Sequence, residues 1–173
     1  MGKLLRMNHS QNPPSETEIA IRAQASEAKC ASVALRTLSS GAKNAALLAM
    51  ADALLSRRDE IFAANARDVE NAAQKGLSGA LLDRLKLSPK KLESMADGCR
   101  QVAALPDPVN RVLWGETRPN GLKIEQIRVP LGVVAVIFES RPNVTVDAAI
   151  LALKAGNSVI LRGGSEAIQT NGT

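Results

Sequence analysis

The first half of the chain carries its apolar residues at the spacing of α-helices. Ser15, followed three residues later by Glu18, forms a capping-box pattern and predicts the start of a helix that runs to about Leu38. Apolar side chains then recur every three or four residues through residues 42–75, which predicts one long amphipathic helix ended by Gly76. Its apolar positions are Leu47, Leu48, Ala51, Leu54, Leu55 and Ile61.

Two further helices are predicted before the chain changes character. The segment "GALLDRLK", residues 79–86, is short and helical in pattern. Ser88 and Pro89 supply the N-cap and the first-turn proline of another helix, which reaches about Leu105. The helical half therefore extends over residues 15–110.

Residues 111–130 show short β-prone runs in place of helical spacing. Two such runs lie on either side of Pro119, Asn120 and Gly121. Asn-Gly between alternating runs is a strong indicator of a tight connection, so this segment is predicted to be a β-hairpin.

Residues 131–173 are predicted to begin an α/β domain. "VVAVIF" (133–138) is an unbroken, β-branched apolar run, as expected of a strand buried on both faces. A short buried helix follows, with Thr145 as a candidate N-cap and Gly156 past its end, and "SVIL" (158–161) is a second strand. Strand, helix and strand form a βαβ unit, which is parallel and right-handed in nearly all cases.

Polar residues gather where these two strands end. "ESRPN" (139–143) follows the first strand, and "RGGSE" (162–166) follows the second. Because parallel strands end at the same edge, the two clusters are expected to lie together, where ligands bind in open α/β sheets. This edge is the candidate site.

The second cluster has features of a phosphate site. Gly163 and Gly164 allow a ligand to approach the backbone closely, and a helix starting at about Ser165 would offer amide groups to an anion. Arg162 adds a permanent planar charge. A phosphate-bearing cofactor fits these features, although the two glycines are equally compatible with a simple turn.

The first cluster has a structural and a functional interpretation. In the structural one, Asn143 caps the following helix and Arg141 pairs with Glu139. In the functional one, these side chains face a ligand. The residues alone favour the structural interpretation but leave both open.

Composition excludes several other classes. The net charge is +5 and the isoelectric point is about 9.6, but the 22 Lys and Arg are spread along the chain and only 2% of residues are aromatic. This argues against nucleic-acid binding. No segment approaches the ~20 apolar residues of a membrane span, and none fits a secretion signal. The expectation is a cytoplasmic protein with 45% hydrophobic residues and a core without tyrosine.

The cysteines and the histidine offer little catalytic chemistry. Cys30 and Cys99 are expected to be reduced and packed between helices. His9 is the one histidine of the sequence and lies in residues 1–14, a predicted disordered leader in which Met7 could be the true start. We therefore expect neither a histidine-based triad nor a metal site.

Specific strings resemble a known family. "ESRPNVT" and "VILRGGSEA", with "NARDVENA" and "LLDRLKL" in the helical half, are similar to gamma-glutamyl phosphate reductases of the aldehyde dehydrogenase superfamily. The resemblance covers nearly all of the chain after residue 15. It implies that residues 131–173 begin a Rossmann-type NADP-binding domain. It also implies NADPH-dependent reduction of L-glutamate 5-phosphate to the semialdehyde in proline biosynthesis, through a thioester on a cysteine.

The resemblance also implies roles for individual residues. Arg162, with Gly163, Gly164 and Ser165, would hold the NADPH ribose and its 2′-phosphate. Asn143 would stabilise the oxyanion of the tetrahedral intermediate. Arg141 has no counterpart in the wider superfamily, and the sequence leaves open equally a phosphate or carboxylate of the substrate and a structural ion pair.

Members of that family are more than twice as long as this chain. We therefore expect that the catalytic cysteine lies outside it and that the chain alone is inactive. The alternative is a non-enzymatic remnant that at most binds a nucleotide or a partner. A second copy of the chain and glutamate 5-kinase are the partners that the resemblance implies.

Overall fold

A computed structural model describes residues 13–139 and 141–173. Most of the expected leader, including Met7 and His9, lies outside the described residues. The helical half comprises α1 (Glu16–Leu35), α2 (Ser40–Ser56), α3 (Arg58–Gln74), α4 (Gly79–Leu85) and α5 (Pro89–Ala104). The rest comprises β1 (Val112–Thr117), β2 (Lys123–Ile127), β3 (Val133–Ile137), α6 (Pro142–Lys154), β4 (Ser158–Arg162), a 3₁₀ turn (Ser165–Ala167) and α7 (Ile168–Asn171). None of the helices in these ranges has the length and apolar content needed to cross a bilayer.

Helix α1 begins at the predicted cap. The Ser15 hydroxyl oxygen accepts a hydrogen bond from the Glu18 amide at 3.2 Å. The Glu18 carboxylate pairs with Arg22, one turn further on, at 2.7 Å. One half of the predicted capping box is therefore present, and the glutamate contributes an i, i+4 ion pair instead of the other half.

The single long helix predicted for residues 42–75 is wrong, because the chain breaks at Arg57. This residue has φ −97° and ψ 16°, outside the helical range, and separates α2 from α3. Its guanidinium pairs with Glu60 in the first turn of α3. The break lets α2 pack on α5 while α3 packs on α4 and α7. Gly76 follows α3 with φ +79°, as expected of a helix C-terminal glycine.

The main core lies where α2, α5 and α6 meet. Its buried side chains are small or aliphatic, which lets the three helices approach closely. They are Leu47, Ala51, Ala96, Cys99, Ala103 and Ile150.

A buried ion pair joins α2 to the segment after α5. Lys43 is only 1% exposed, and its ammonium donates to both carboxylate oxygens of Asp107, at 2.9 and 3.1 Å. Ser40 and the Val109 amide also donate to this carboxylate. Burial by itself would raise the pKa of Asp107, but the hydrogen bonds from these three groups together lower it below its ordinary value.

A second buried lysine joins α6 to the same helices. The Lys154 ammonium donates to the Asn44 side chain at 2.7 Å and to the Ala103 carbonyl at 2.9 Å. Ala103 lies in the last turn of α5, where helix carbonyls attract a cation. Lys154 therefore ties the βαβ unit to the helical half.

The predicted hairpin forms. Strands β1 and β2 pair antiparallel, with Thr117 opposite Lys123 at the closed end. The Gly121 amide donates to the Arg118 carbonyl at 2.8 Å, and Gly121 has φ +85°. Both strands are exposed along their whole length.

The predicted parallel βαβ unit also forms, with two corrections. Helix α6 begins at Pro142, where proline is favoured, and not at Thr145. The Thr145 hydroxyl instead donates to Asn171 at 2.8 Å. Strand β3 is not buried on both faces, since Ala135 is exposed and Ile137 is 75% exposed. In the described residues this sheet has two strands, and α1 and α6 contact β4 more than β3.

Replacing Asp107 with asparagine tests the buried ion pair. Because the pKa of this carboxyl is lower in the folded protein, its charge stabilises the fold above the ordinary pKa, and this stabilisation is lost as the pH falls through the lowered one. We expect Asp107→Asn to lower the free energy of unfolding at pH 7 by about 3 kcal/mol. The variant should also lose less stability than the wild type below about pH 4.

Asp97→Asn is the matched control. Its carboxylate is 62% exposed and pairs with Arg100, so its loss should cost no more than about 0.5 kcal/mol. Chemical denaturation of the three proteins at pH 7 and pH 3 measures both effects. Equal costs for the two variants, or an unchanged pH dependence in Asp107→Asn, would contradict the assignment.

Candidate functional site

The parallel register brings the two polar clusters to one edge, as predicted. Ile137, the last residue of β3, lies opposite Arg162, the last residue of β4. The Phe138 amide donates to the Arg162 carbonyl at 3.1 Å, which extends the pairing one residue further. The segments that begin at Glu139 and Gly163 therefore leave the sheet side by side.

The two glycines after β4 lie against the side chains of residues that follow them. A methyl group at Gly163 would overlap the Asn171 amide and lie 3.4 Å from the Phe138 ring. A methyl group at Gly164 would overlap the Glu166 carboxylate. Both overlaps are with the ends of flexible side chains, so the two glycines leave room that the Asn171 and Glu166 side chains occupy, and the backbone there carries no side chains of its own.

The helix expected at about Ser165 is a three-residue 3₁₀ turn followed by the short helix α7. The amides of Gln169 and Thr170 at the start of α7 donate to the Asp68 carboxylate at 3.2 and 2.7 Å. Asp68 lies in α3 and is 2% exposed. A carboxylate of the protein itself thus occupies the start of α7, so in the segment from the end of β4 onward the charge that can attract a phosphate is that of Arg162.

Asn65, which also lies in α3, forms further hydrogen bonds to α7 and to the end of α4. Its amide nitrogen donates to the Leu85 carbonyl at 3.0 Å and to Thr170 at 3.2 Å. Its oxygen accepts from the Leu87 amide at 2.8 Å. Asn65 and Asp68 are the buried polar residues of the "NARDVENA" string, and their hydrogen bonds hold α4 and α7 against α3. Both residues were missed in the sequence. The signal that could have found them is their position on the buried face of α3, beside Ala64.

The structural interpretation of Asn143 and Arg141 is not observed. Asn143 lies inside the first turn of α6 and donates to the Asp147 carboxylate at 3.0 Å, so it does not cap the helix. Arg141 is exposed at the N-cap position. Among residues 13–139 and 141–173, no ion pair joins Arg141 to Glu139.

Both cysteines are free. Cys99 is fully buried among the core helices, as expected, and burial raises the pKa of its thiol. Cys30 is exposed on α1, so the expectation that it packs between helices is wrong. In the described ranges, no group of three His, Cys, Asp or Glu side chains is arranged to hold a metal ion.

Two open cavities flank the βαβ unit. One, of about 370 Å³, lies between α1 and β4. Its lining includes Glu27 but neither Lys nor Arg, so it does not suit a phosphate. The other, of about 350 Å³, opens beside the carboxyl end of β3 and contains Arg141 together with Arg84 from α4. Arg84 was missed in the sequence, because an arginine in a short exposed helix gives no signal of a cleft.

Comparison with known proteins identifies the family. The aldehyde dehydrogenase family model matches residues 8–171, so the chain belongs to the aldehyde dehydrogenase family. Within it, the gamma-glutamyl phosphate reductase of Geotalea daltonii is 57% identical over 151 residues, which cover 87% of this chain and 36% of that protein. The resemblance to this group of reductases is thereby confirmed.

Solved structures agree with this assignment. The gamma-glutamyl phosphate reductase of Thermotoga maritima superposes with a TM-score of 0.86 at 43% identity, over 88% of this chain and 37% of that one. The Saccharomyces cerevisiae protein of the same name gives 0.83 at 37% identity, over 90% and 39%. The chain therefore has an aldehyde-dehydrogenase-like fold and spans a little over a third of the length of these relatives.

Proposed function

We propose that this chain forms part of an NADPH-dependent enzyme that reduces L-glutamate 5-phosphate to L-glutamate 5-semialdehyde and phosphate in proline biosynthesis. The names of the similar reductases support the substrate. The observation that carries the proposal is the parallel register, which places Arg162 beside the polar segment after β3. Ligands of α/β sheets bind at this edge.

The residues after β4 fit a phosphate-bearing cofactor. Arg162 is exposed and forms no ion pair with another described residue. Gly163 and Gly164 carry no side chains of their own, and Ser165 presents an exposed hydroxyl that can donate to a 2′-phosphate. The Glu166 carboxylate lies against Gly164 and would have to turn away from a bound phosphate. Arg162, the two glycines and Ser165 would hold NADPH, which supplies the hydride when bound.

Residues after β3 would bind the substrate. The Asn143 amide is a hydrogen-bond donor at the start of α6 and would stabilise an oxyanion in place of its present bond to Asp147. Arg141, whose guanidinium is exposed, would attract an anionic group of the substrate.

A second candidate function is that of a binding module without catalysis. It is favoured by the state of the cysteines, since Cys99 is buried with a raised pKa and Cys30 lies on the surface of α1. A reactive thiol needs partial exposure and an electropositive setting. Under either proposal, neither Cys30 nor Cys99 is the nucleophile.

The hairpin supports association with a second copy of the chain. Its exposed apolar side chains include Leu113, Trp114 and Ile127, each nearly half exposed. Exposed apolar surface of this kind marks interaction sites. Association with glutamate 5-kinase and a cytoplasmic location remain predictions from the resemblance.

Titration calorimetry with NADPH and NADH tests the cofactor role of Arg162. We expect the chain to bind NADPH on the order of tenfold more tightly than NADH, because each charge-assisted bond to the 2′-phosphate contributes about 1.5 kcal/mol or more. Arg162→Ala should abolish this preference. Arg36→Ala should preserve it, since Arg36 follows Leu35, whose carbonyl lies near Gly156 at the opposite end of β4. Equal affinities that the substitution leaves unchanged would refute the role.

An activity assay tests whether either cysteine is the nucleophile. The purified chain, given L-glutamate 5-semialdehyde, phosphate and NADP⁺, should form NADPH only at the background rate. Turnover that disappears in Cys30→Ser or Cys99→Ser would show that this chain holds the nucleophile. Turnover that both substitutions leave unchanged would indicate a contaminating enzyme.

A further inference from the structure

The cleft of about 350 Å³ lies between α4, the carboxyl end of β3 and the start of α6. Its volume falls at the lower end of the range for small-molecule sites, roughly 300–1,000 Å³. The lining residues are Leu81, Arg84, Phe138, Glu139, Arg141 and Val144. Two guanidinium groups, one carboxylate and three apolar side chains therefore share one small opening.

Neither arginine is engaged in an ion pair with another described residue, although the Glu139 carboxylate lines the same cleft. Within the described parts of the chain, Arg84 and Arg141 form no ion pair and no side-chain hydrogen bond. Two positive charges in one cleft repel each other, so the cleft favours an anion that binds both. Each guanidinium can offer a carboxylate or phosphate two parallel N–H donors.

Hydrogen bonds to α3 hold the backbone that follows Arg84. The next residue, Leu85, is fully buried, and its carbonyl accepts a hydrogen bond from the buried side chain of Asn65. The Leu87 amide donates to the same asparagine. The backbone that follows Arg84 is therefore fixed to α3, which fixes the point from which the arginine side chain extends.

The cleft adjoins the proposed nucleotide site. Phe138 lines the cleft, and its ring lies against Gly163 on the other side. A ligand in the cleft would therefore lie next to a nucleotide bound at Arg162. The apolar walls suit a short aliphatic chain, and Glu139 suits an ammonium group.

We propose that Arg84 and Arg141 together form an anion site that takes one acidic group of a small amino acid with two acidic groups, while Glu139 faces its ammonium group. Arg84 is then a specificity-determining residue supplied by α4. This inference rests on the proposed function, because the ligand class is that of its substrate.

Calorimetry with L-2-amino-5-phosphonopentanoate tests the cleft. This stable probe carries an ammonium, a carboxylate and a phosphonate group. We expect the chain to bind it, and Arg84→Gln and Arg141→Gln each to weaken binding on the order of tenfold or more. Arg36→Gln, at the opposite end of the sheet, should leave the affinity unchanged. Because Arg84 is exposed and unpaired, unchanged thermal unfolding should show that Arg84→Gln is folded.

Inorganic phosphate and Glu139→Gln test the role of the carboxylate. The substitution removes a negative charge, so it should strengthen the binding of inorganic phosphate and weaken the binding of the aminophosphonate. A wild type that does not bind the aminophosphonate would overturn the inference. Equal affinities of the wild type and Arg84→Gln, or equal losses in Arg84→Gln and Arg36→Gln, would overturn it as well.

NADPH titration separates this inference from the proposed function. Aminophosphonate binding that depends on Arg84, in a chain that does not bind NADPH, would support the cleft and refute the cofactor proposal. NADPH binding that depends on Arg162, without Arg84-dependent aminophosphonate binding, would refute the cleft alone.

Discussion

Parallel strands end at the same edge of a sheet, and the candidate site depends on this geometry. Strands β3 and β4 are joined by the 13-residue helix α6, which returns the chain to the starting edge. The return passes through Gly156, which has φ +73°, and a β-carbon there would lie 3.0 Å from Pro130 and 3.4 Å from Val109. A residue with a side chain would be strained there, and relieving the strain would shift the register that places Ile137 opposite Arg162.

A few buried polar contacts hold this unit against the helical half. The core where α2, α5 and α6 meet consists of small and aliphatic residues, which specify orientation poorly by themselves. Lys43 with Asp107, and Lys154 with Asn44, cross between elements that are far apart in sequence. Each contact satisfies a charge that would be costly to bury alone, so alternative packings that separate the partners are disfavoured.

Features coded by neighbouring residues could be predicted from the sequence. The caps at Ser15 and Ser88, the helix end at Gly76 and the hairpin around Gly121 all follow from local backbone chemistry. The break at Arg57 could not be predicted, because "RRDE" is compatible with a continuous helix and only packing against two different partners separates α2 from α3.

The site and its surroundings likewise combine features that the sequence predicts with features that only tertiary packing creates. The pairing of the two polar clusters followed from the parallel topology, which the apolar runs indicated. The contacts of Lys43 could not be predicted, since its partner lies 64 positions away and a lysine in a helix resembles a surface charge. Arg84 was missed for a related reason: only the tertiary fold brings α4 beside the end of β3.

The central claim is that the carboxyl edge of the β3–β4 pair binds a nucleotide. Titrating the ¹⁵N-labelled chain with NADPH and mapping amide chemical shifts tests it most directly. The account predicts that the largest changes fall on Phe138, Gly163, Gly164 and Ser165. Changes centred instead on the groove between α1 and β4, at Gln24 and Ser158, or on the hairpin at Trp114, would contradict it.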